Sequence, residues 1–453
     1  MATRTTVLLC LAAFMTMLDL FIVNVAFESI SGSYPTASLP ALSWVLNGYI
    51  VVYAACLIPA GRLADRYGRK RGFVAGLALF TLASVGCAVA PTLGVLVAAR
   101  LAQALGAAVL TPTSLGLLLS VLPEDRRDGA VKIWATCSSF AGALGPVVGG
   151  LLAESSWRWA FLINLPIGVA TAVLVIRTIP AGSPSSSTRM PDPLGVIAIA
   201  LAIGAVSVLL VNAGDWGWTS APSAFAAVVA GASTLVLVHR VRTHPTPIMP
   251  PTLFRLRGFT VANATIILFT SAFSALFLSV SLWLEVAADY GPLQAGLALA
   301  PGPLVVIACA ALTQRFAAKA PPRVIVAAGL AVFACGALLL AISGGGTYST
   351  DVLPGWITTA VGIGIAMPTL IGSATAGLTP DTAATGSAVV NTARQAGYAL
   401  GIAGLVAVLG EVRPSATGSG FVVGWILVAV LAATAAGTAV GIRPRTADSR
   451  HRQ

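Results

Sequence analysis

Two ionisable side chains stand where an apolar chain has least room for charge. Asp19 lies midway through Leu18-Asp19-Leu20-Phe21-Ile22-Val23-Asn24-Val25-Ala26, and Arg100 opens Arg100-Leu101-Ala102-Gln103-Ala104-Leu105-Gly106. A charge at the centre of a membrane helix costs about 2.5–3.5 kcal/mol or more unless it is paired or hydrated. Low polarity favours the neutral form of a carboxyl, which suits Asp19 to taking up and releasing a proton. A carboxylate tied to a neighbouring helix for packing alone is the other reading. Helical spacing puts Arg100 on one stripe with Gln103, Ala107, Thr111 and Ser114, a polar face on which a permanent cation can be accommodated. Arg100 could equally hold helices together through carbonyls. The sequence alone does not bring Asp19 and Arg100 into contact.

A second group of charges lies between apolar runs. Gly61-Arg62-Leu63-Ala64-Asp65-Arg66-Tyr67-Gly68-Arg69-Lys70-Arg71 has glycines where a tight helix–helix connection needs them and one carboxylate among five cations. Five basic residues would suffice to anchor a loop on one side of a membrane, but an anchor needs neither Asp65 nor paired glycines. Signals for enzyme chemistry are thin. His239, His244 and His451 lack metal-ligand spacing, and no GxxxxGK[ST] phosphate loop is present. The six cysteines fall inside apolar runs without CxxC pairs and read as packing residues. No cofactor or metal is expected.

These residues must be positioned by membrane helices. Of 453 residues, 57% are hydrophobic and 9% charged, against about 25% charged in a soluble domain. The net charge of +11 is explained by loop topology without any nucleic-acid partner. Apolar windows predict spans near 7–30, 43–62, 73–90, 93–119, 131–153, 160–178, 194–212, 222–239, 259–284, 294–314, 323–343, 353–374, 386–410 and 421–441. The first lacks a cleavage site and carries Asp19, so it is expected to be retained rather than removed as a signal peptide.

Orientation tests this count. With the N-terminus inside, the inner segments collect Arg4, the Arg62–Arg71 group, Arg126, Arg127, Lys132, Arg177, Arg189, Arg240, Arg242, Arg255, Arg257, Arg315, Lys319, Arg323 and the tail arginines. Only Arg158 and Arg413 fall outside. A miscounted helix would swap every later loop and ruin this bias, so an all-α integral membrane protein with fourteen transmembrane helices and both termini cytoplasmic is expected. The polar stretch PAGSPSSSTRMPDP, Pro180 to Pro193, reads as a linker. The expected organisation is six plus two plus six: a bundle over 1–179, a linker with two extra helices over 180–258, a second bundle over 259–442 and a tail over 443–453. Arg62, Arg66 and Lys70 are echoed 253 residues on by Arg315, Lys319 and Arg323, in line with two parallel repeats.

The Gly61–Arg71 loop resembles the GxLaDrxGrkr signature of the major facilitator superfamily. That resemblance implies a bundle of two six-helix halves rocking around a central site, with Gly61, Asp65, Arg66, Gly68 and Arg69 in a cytoplasmic gate. The second-half copy has Ala318 where Asp65 stands, so the latch would be asymmetric. The span-1 segment resembles the LDxTIVNVALP stretch of the fourteen-span drug:proton antiporters, which implies proton coupling at Asp19 and makes Asn24 a cavity candidate. This chain has Phe27-Glu28 in place of Leu-Pro, and helical spacing puts Glu28 opposite Asp19, at the outer interface. Arg100 and Gln103 match the family's RxxQGxG, linked there to proton transfer, with Ala104 at the first glycine position.

In the fifth span, Gly142, Gly145, Pro146, Gly149 and Gly150 allow close helix approach around a bend. GPxxGG at this place resembles the antiporter motif of exporting facilitators. Ser156-Trp157-Arg158-Trp159-Ala160-Phe161-Leu162-Ile163-Asn164-Leu165-Pro166 resembles the fourteen-span branch's WRWxFxINxP. In the second half, Asn391, Arg394 and Gln395 resemble NxxRQxG, which makes them cavity candidates; Arg394 could also snorkel to the cytoplasm. Glu285 stands where relatives show the amide of LYLQ and is either a substrate or proton contact or a solvated loop residue. The resemblance therefore implies a proton-coupled antiporter exporting amphipathic small molecules such as antibiotics from the bacterial cytoplasmic membrane, working as a monomer. Its partners would be drug, protons and lipid. A proton-coupled nutrient or metabolite symporter of the same fold is the first alternative, and a non-transporting membrane sensor is another.

Overall fold

The computed structural model describes all residues except 1, 123, 181–191, 317–319, 345, 377, 379, 410–418 and 443–453. Most of the polar linker, the tail, and Ala318, Lys319 and Arg413 therefore lie outside the described residues. The described chain is helical with no β-strand. Its elements are α1 Ala2–Val25, α2 Phe27–Ser33, α3 Leu39–Tyr67, α4 Arg69–Ala88, α5 Leu93–Val121, α6 Glu124–Ser155, α7 Trp159–Leu162, α8 Asn164–Thr178, α9 Pro193–Trp216 and α10 Ala221–Thr243. They continue with α11 Pro251–Arg255, α12 Arg257–Leu282, a π-helical turn Trp283–Ala287, α13 Pro292–Leu299, α14 Pro301–Phe316 and α15 Pro322–Ser343. A second π turn, Tyr348–Val352, leads into α16 Leu353–Thr375, α17 Pro380–Leu409 and α18 Ser419–Ala439.

Helix starts follow local chemistry. The hydroxyls of Ser38, Thr92 and Ser220 accept the backbone N–H of Ala41, Val95 and Ser223 at 3.3–3.4 Å, satisfying donors that a helix leaves free. Proline near the first position opens α3, α9 and α10, where its missing N–H is no loss. Between α3 and α4 the chain reverses at Gly68 with φ +105°, a conformation that disfavours any residue with a Cβ.

Thirteen helices among the described residues are long and apolar enough to cross a membrane. The predicted fifth span, 131–153, lies inside α6, where several side chains fall outside the described residues; its described apolar stretch is Leu144–Ser155. The first predicted span, 7–30, divides instead at Ala26 (φ −79°, ψ 0°), which places Glu28 in the separate helix α2.

Two compact units are present. The first comprises Met1–Ile248, Val280–Ala300 and Ile402–Ser415, and the second Met249–Ser279, Pro301–Gly401 and Ala416–Gln453. In the first unit α1 packs on α5, α6 and α8, α4 lies along α5, and α9 and α10 pair with each other, α9 also against α3. In the second, α15 packs on α16 and α18, and α14 on α16. One contact recurs in both. A Cβ at Gly106 would stand 2.6 Å from the Phe80 nitrogen and 2.9 Å from the Gly76 carbonyl oxygen; one at Gly362 would meet the Phe333 nitrogen at 2.5 Å and the Gly329 carbonyl oxygen at 2.6 Å. Gly76 and Phe80 are separated from Gly329 and Phe333 by the same 253 residues as the basic-loop echo, so the repeat extends from loop charge to helix contact.

Candidate functional site

Asp19 in α1 and Arg100 in α5 meet at 2.6 Å, Arg100 Nη1 to Asp19 Oδ2, with both side chains fully buried. The other carboxylate oxygen, Oδ1, accepts Gln103 Nε2 at 2.8 Å and Asn164 Nδ2 at 3.1 Å. Arg100 Nη1 also donates to Gln103 Oε1 at 2.6 Å, and its Nε donates to the Val45 carbonyl in α3 at 3.1 Å. The guanidinium lies over the Tyr49 ring at 4.1 Å and near Phe161 at 5.6 Å, so aromatic faces cover what hydrogen bonds do not. Ser84 in α4 accepts both amides, Asn164 at 3.0 Å and Gln103 at 3.2 Å, and donates to the Phe161 carbonyl at 2.8 Å. Cys87 points its Sγ at Gln103 Oε1, 3.7 Å away.

Five elements thus converge on one carboxylate. A lone buried ion pair gains little, because its desolvation offsets its attraction; additional hydrogen bonds make it tenable. What the arrangement offers chemically is a single proton acceptor, shielded from solvent and held by one cation and two amides.

The polar stripe of α5 is present as its spacing predicts: Arg100, Gln103, Ala107, Thr111 and Ser114 are all buried. Thr111 belongs to a separate group, sharing a 2.9 Å bond with Tyr53, while Ser114 receives Trp134 Nε1 at 3.1 Å. Asn24 is buried but turns its amide back to the Leu20 carbonyl at 2.8 Å. Glu285 falls within the π turn that prolongs α12; it is half-buried and accepts Ser281 Oγ at 3.4 Å. The solvated-loop reading of Glu285 gives way to a place in a membrane-length helix. Glu28 is also half-buried, and burial pushes its carboxyl above the usual carboxylate range. In the second unit Gln395 is buried, and Arg394 donates to Asn391 Oδ1 at 3.3 Å, so NxxRQxG forms its own polar turn on α17.

The gate loop spans the α3–α4 corner. Gly61 approaches Pro112 of α5, where a Cβ would stand 3.3 Å from the proline Cβ. Arg66 lies 5.8 Å over Tyr67, and Arg69 donates to the Gly116 carbonyl of α5 at 2.8 Å. The ammonium of Lys70 binds the Ile176 carbonyl at 3.0 Å and also that of Ile179, at the end of α8. The side chain of Asp65 lies outside the described residues.

The glycines of α6 form the face against which α1 and α13 seat. Gly142 and Gly145 lie on Phe21, and Gly149 lies on Ile22, with 3.0 Å between a built Cβ and the Ile22 Cα. Gly150 touches the Pro292 carbonyl, and Gly296 of α13 in turn touches that of Pro146. Glu154 accepts the Leu293 N–H at 3.1 Å beside this contact.

Sequence reading missed Asn164, Ser84 and Tyr49 as members of the Asp19 site. Asn164 lay within the WRWxFxIN segment, and a polar amide so close to a run of aromatics inside an apolar stretch was the available signal. For Ser84 and Tyr49 no local signal existed. The same segment encloses the site: Trp157 donates to Ser33 Oγ at 2.7 Å and packs on Tyr34 and Phe161, while Phe161 flanks Arg100.

Membrane-length helices around a buried carboxylate–guanidinium pair define a polytopic membrane protein. Residues 9–402 match the Major Facilitator Superfamily, and the chain belongs to that family. It is 35% identical over 406 residues to the methylenomycin A resistance protein of Streptomyces coelicolor, covering 87% of this chain and 83% of the relative. Against the cephamycin export protein CmcT of Amycolatopsis lactamdurans it is 32% identical over 423 residues, covering 90% and 85%. With the multidrug resistance protein Stp of Mycobacterium tuberculosis it shares 31% over 401 residues, covering 88% and 74%. The fold matches the POT family transporter PepTSo with a TM-score of 0.68 at 15% identity, over 96% of this chain and 97% of that one. A D-xylose–proton symporter matches with the same score at 13% identity, over 97% of each chain. The chain is thus a multi-pass membrane protein of the facilitator fold.

Proposed function

We propose that this protein is a proton-coupled antiporter that exports amphipathic, antibiotic-like small molecules across the bacterial cytoplasmic membrane. The buried Asp19 carboxylate, held by Arg100 at 2.6 Å and by two amides, carries the reading. Protonation of Asp19 cancels the charge that Arg100 holds, and deprotonation restores it, so each change of state re-sorts contacts among α1, α5 and α8. Relatives whose names include antibiotic resistance and export support the direction and the class of cargo. Counting α6 as a span gives fourteen helices, arranged as six, two and six over 1–179, 180–258 and 259–442, with both termini and the 443–453 tail cytoplasmic. The protein acts as a monomer. Gly61, Asp65, Arg66, Gly68 and Arg69 serve as gate; the α6 glycines seal one side; and Asn24, Thr111, Glu285, Asn391, Arg394 and Gln395 are candidates for cargo contact.

The test is flux in proteoliposomes. Purified protein should move rhodamine 6G against an inward proton gradient, with dye and protons travelling in opposite directions. Asp19→Asn should reach the membrane, since an amide oxygen in the place of Oδ2 keeps an acceptor for Arg100, but carry no gradient-driven flux. Undiminished driven flux in that variant removes Asp19 from the mechanism, and dye moving with the protons makes the protein a symporter.

A further inference from the structure

We infer that Asn164 is the positioning residue that serves both protonation states of Asp19, by donating to the carboxylate through Nδ2 and accepting from the carboxylic acid through Oδ1. The inference rests on the reading of Asp19 as the group that gains and loses a proton.

Ionised, Asp19 accepts from Arg100, Gln103 and Asn164, and every contact is a donor matched to a lone pair. Protonated, it gains an O–H that must find an acceptor in a buried site, or pay the cost of an unmade hydrogen bond. Most nearby acceptors are engaged. Gln103 Oε1 takes Arg100 Nη1 and Cys87 Sγ; the Val45 carbonyl takes Arg100 Nε; Ser84 Oγ takes two amides. Asn164 Oδ1 is different: it is buried and has no hydrogen-bond partner among the described residues. The residue as a whole is 1% exposed.

The amide's present orientation is fixed by its neighbours. Ser84 gives its own proton to the Phe161 carbonyl, so toward Asn164 it can only accept, and the group facing both Ser84 and the carboxylate must be the NH2. A half-turn about the side chain's last torsion exchanges Nδ2 with Oδ1 and presents an acceptor to Asp19. The reversal gives up the Nδ2–Ser84 bond, and Ser84 turns its hydroxyl from the Phe161 carbonyl to meet Oδ1; the only covalent bond made or broken is the O–H of Asp19, whose proton comes from and returns to solvent. Asn164 is the first residue of α8, so the reversal acts where that helix begins.

The titratable and charged groups facing Asp19 are Tyr49 from α3, Cys87 from α4 and Arg100 from α5. Beside Asp19 the α6 face turned to α1 is glycine, with Cys137 of α6 meeting Cys10 nine residues before Asp19, and α7 and α8 bring Phe161 and Asn164, which do not titrate. Arg100 remains charged throughout, which leaves Asp19 as the residue whose charge the amide follows.

Infrared titration of the purified full-length protein tests this without any transported ligand. The protonated-carboxyl band of Asp19 is assigned by its loss in Asp19→Asn. In Asn164→Leu its midpoint should move to higher pH by about one unit, because the charge-assisted bond lost from the carboxylate is about twice as strong as the neutral one lost from the acid. Asn164→Ser, which offers a hydroxyl that can donate or accept, should move less. With carbon-13-labelled asparagine, the wild-type difference spectrum between the two states should contain an asparagine amide change that is absent in Asp19→Asn. That arm needs no Asn164 variant and stands even if Asn164→Leu fails to fold. Superimposable titrations of wild type and Asn164→Leu overturn the positioning role, and protonation without an asparagine change overturns the reversal. If both arms succeed while dye flux shows no proton coupling, the antiporter reading fails and the role of Asn164 stands.

Discussion

The Arg100 guanidinium meets the Asp19 carboxylate at 2.6 Å with neither side chain exposed, so each is the condition for burying the other. Arg100→Met leaves a carboxylate without its cation and should destabilise the fold by about 3–5 kcal/mol. Adding Asp19→Asn removes the stranded charge and should recover much of that loss. Thermal unfolding in detergent of both single variants and the double variant measures the coupling. Strictly additive losses would show that the two residues do not act as a pair.

Gly150 admits the Pro292 carbonyl where a Cβ would sit, and Gly296 admits that of Pro146. Backbone on one side cannot swing away as a long side chain can, so Gly150→Ala must separate α6 from α13. The expected outcome is protein that inserts normally but leaks protons passively in proteoliposomes. Gly94→Ala, where a Cβ meets nothing within 4 Å, is the matched control. Equal leak from both variants would deny the contact a sealing role.

Much of this site was legible in the sequence because polarity inside an apolar run is itself a signal. Asp19, Arg100 and Gln103 stood out in that way, and the period of α5 set its buried stripe. Helical spacing fixes which residues share a face, but not which helix that face will meet. The Asp19–Arg100 contact spans 81 residues of sequence and the Asp19–Asn164 contact 145, and neither distance leaves a local trace. Ser84 and Tyr49 look like ordinary span residues until α4 and α3 close around Arg100. The π turn holding Glu285 and the break at Ala26 were invisible for a different reason: each is a small change in backbone hydrogen bonding within an uninterrupted apolar run, and composition does not register it.

Arg69 reaches the Gly116 carbonyl within α5, and Lys70 uses its charge on the Ile176 and Ile179 carbonyls at the end of α8. Cations there answer unsatisfied carbonyls and the negative end of the helix dipole. Arg69→Gln should slow dye efflux several-fold with little change in unfolding temperature, if the loop works as a gate. Lys70→Gln, by loosening the end of α8, should lower the unfolding temperature more than it slows efflux. The opposite ranking would exchange the two roles.

Asp192 stands just before α9 and accepts Arg240 of α10 through both carboxylate oxygens, Nε at 2.9 Å and Nη2 at 2.7 Å, tying the start of one helix to the end of the other. The hydrogen bonds from Arg240 hold the Asp192 carboxyl below the usual carboxylate range, outweighing the opposing effect of burial. A carboxyl whose folded value is depressed contributes stability that is complete above its ordinary value of 3.8. That contribution is lost as pH falls through the depressed value. Asp192→Asn should therefore unfold at lower temperature than wild type at neutral pH, and the gap should narrow only once pH drops below 3.8. Unfolding followed in detergent across that range decides it: a gap that closes between pH 5 and 7 would assign the effect to a group other than Asp192.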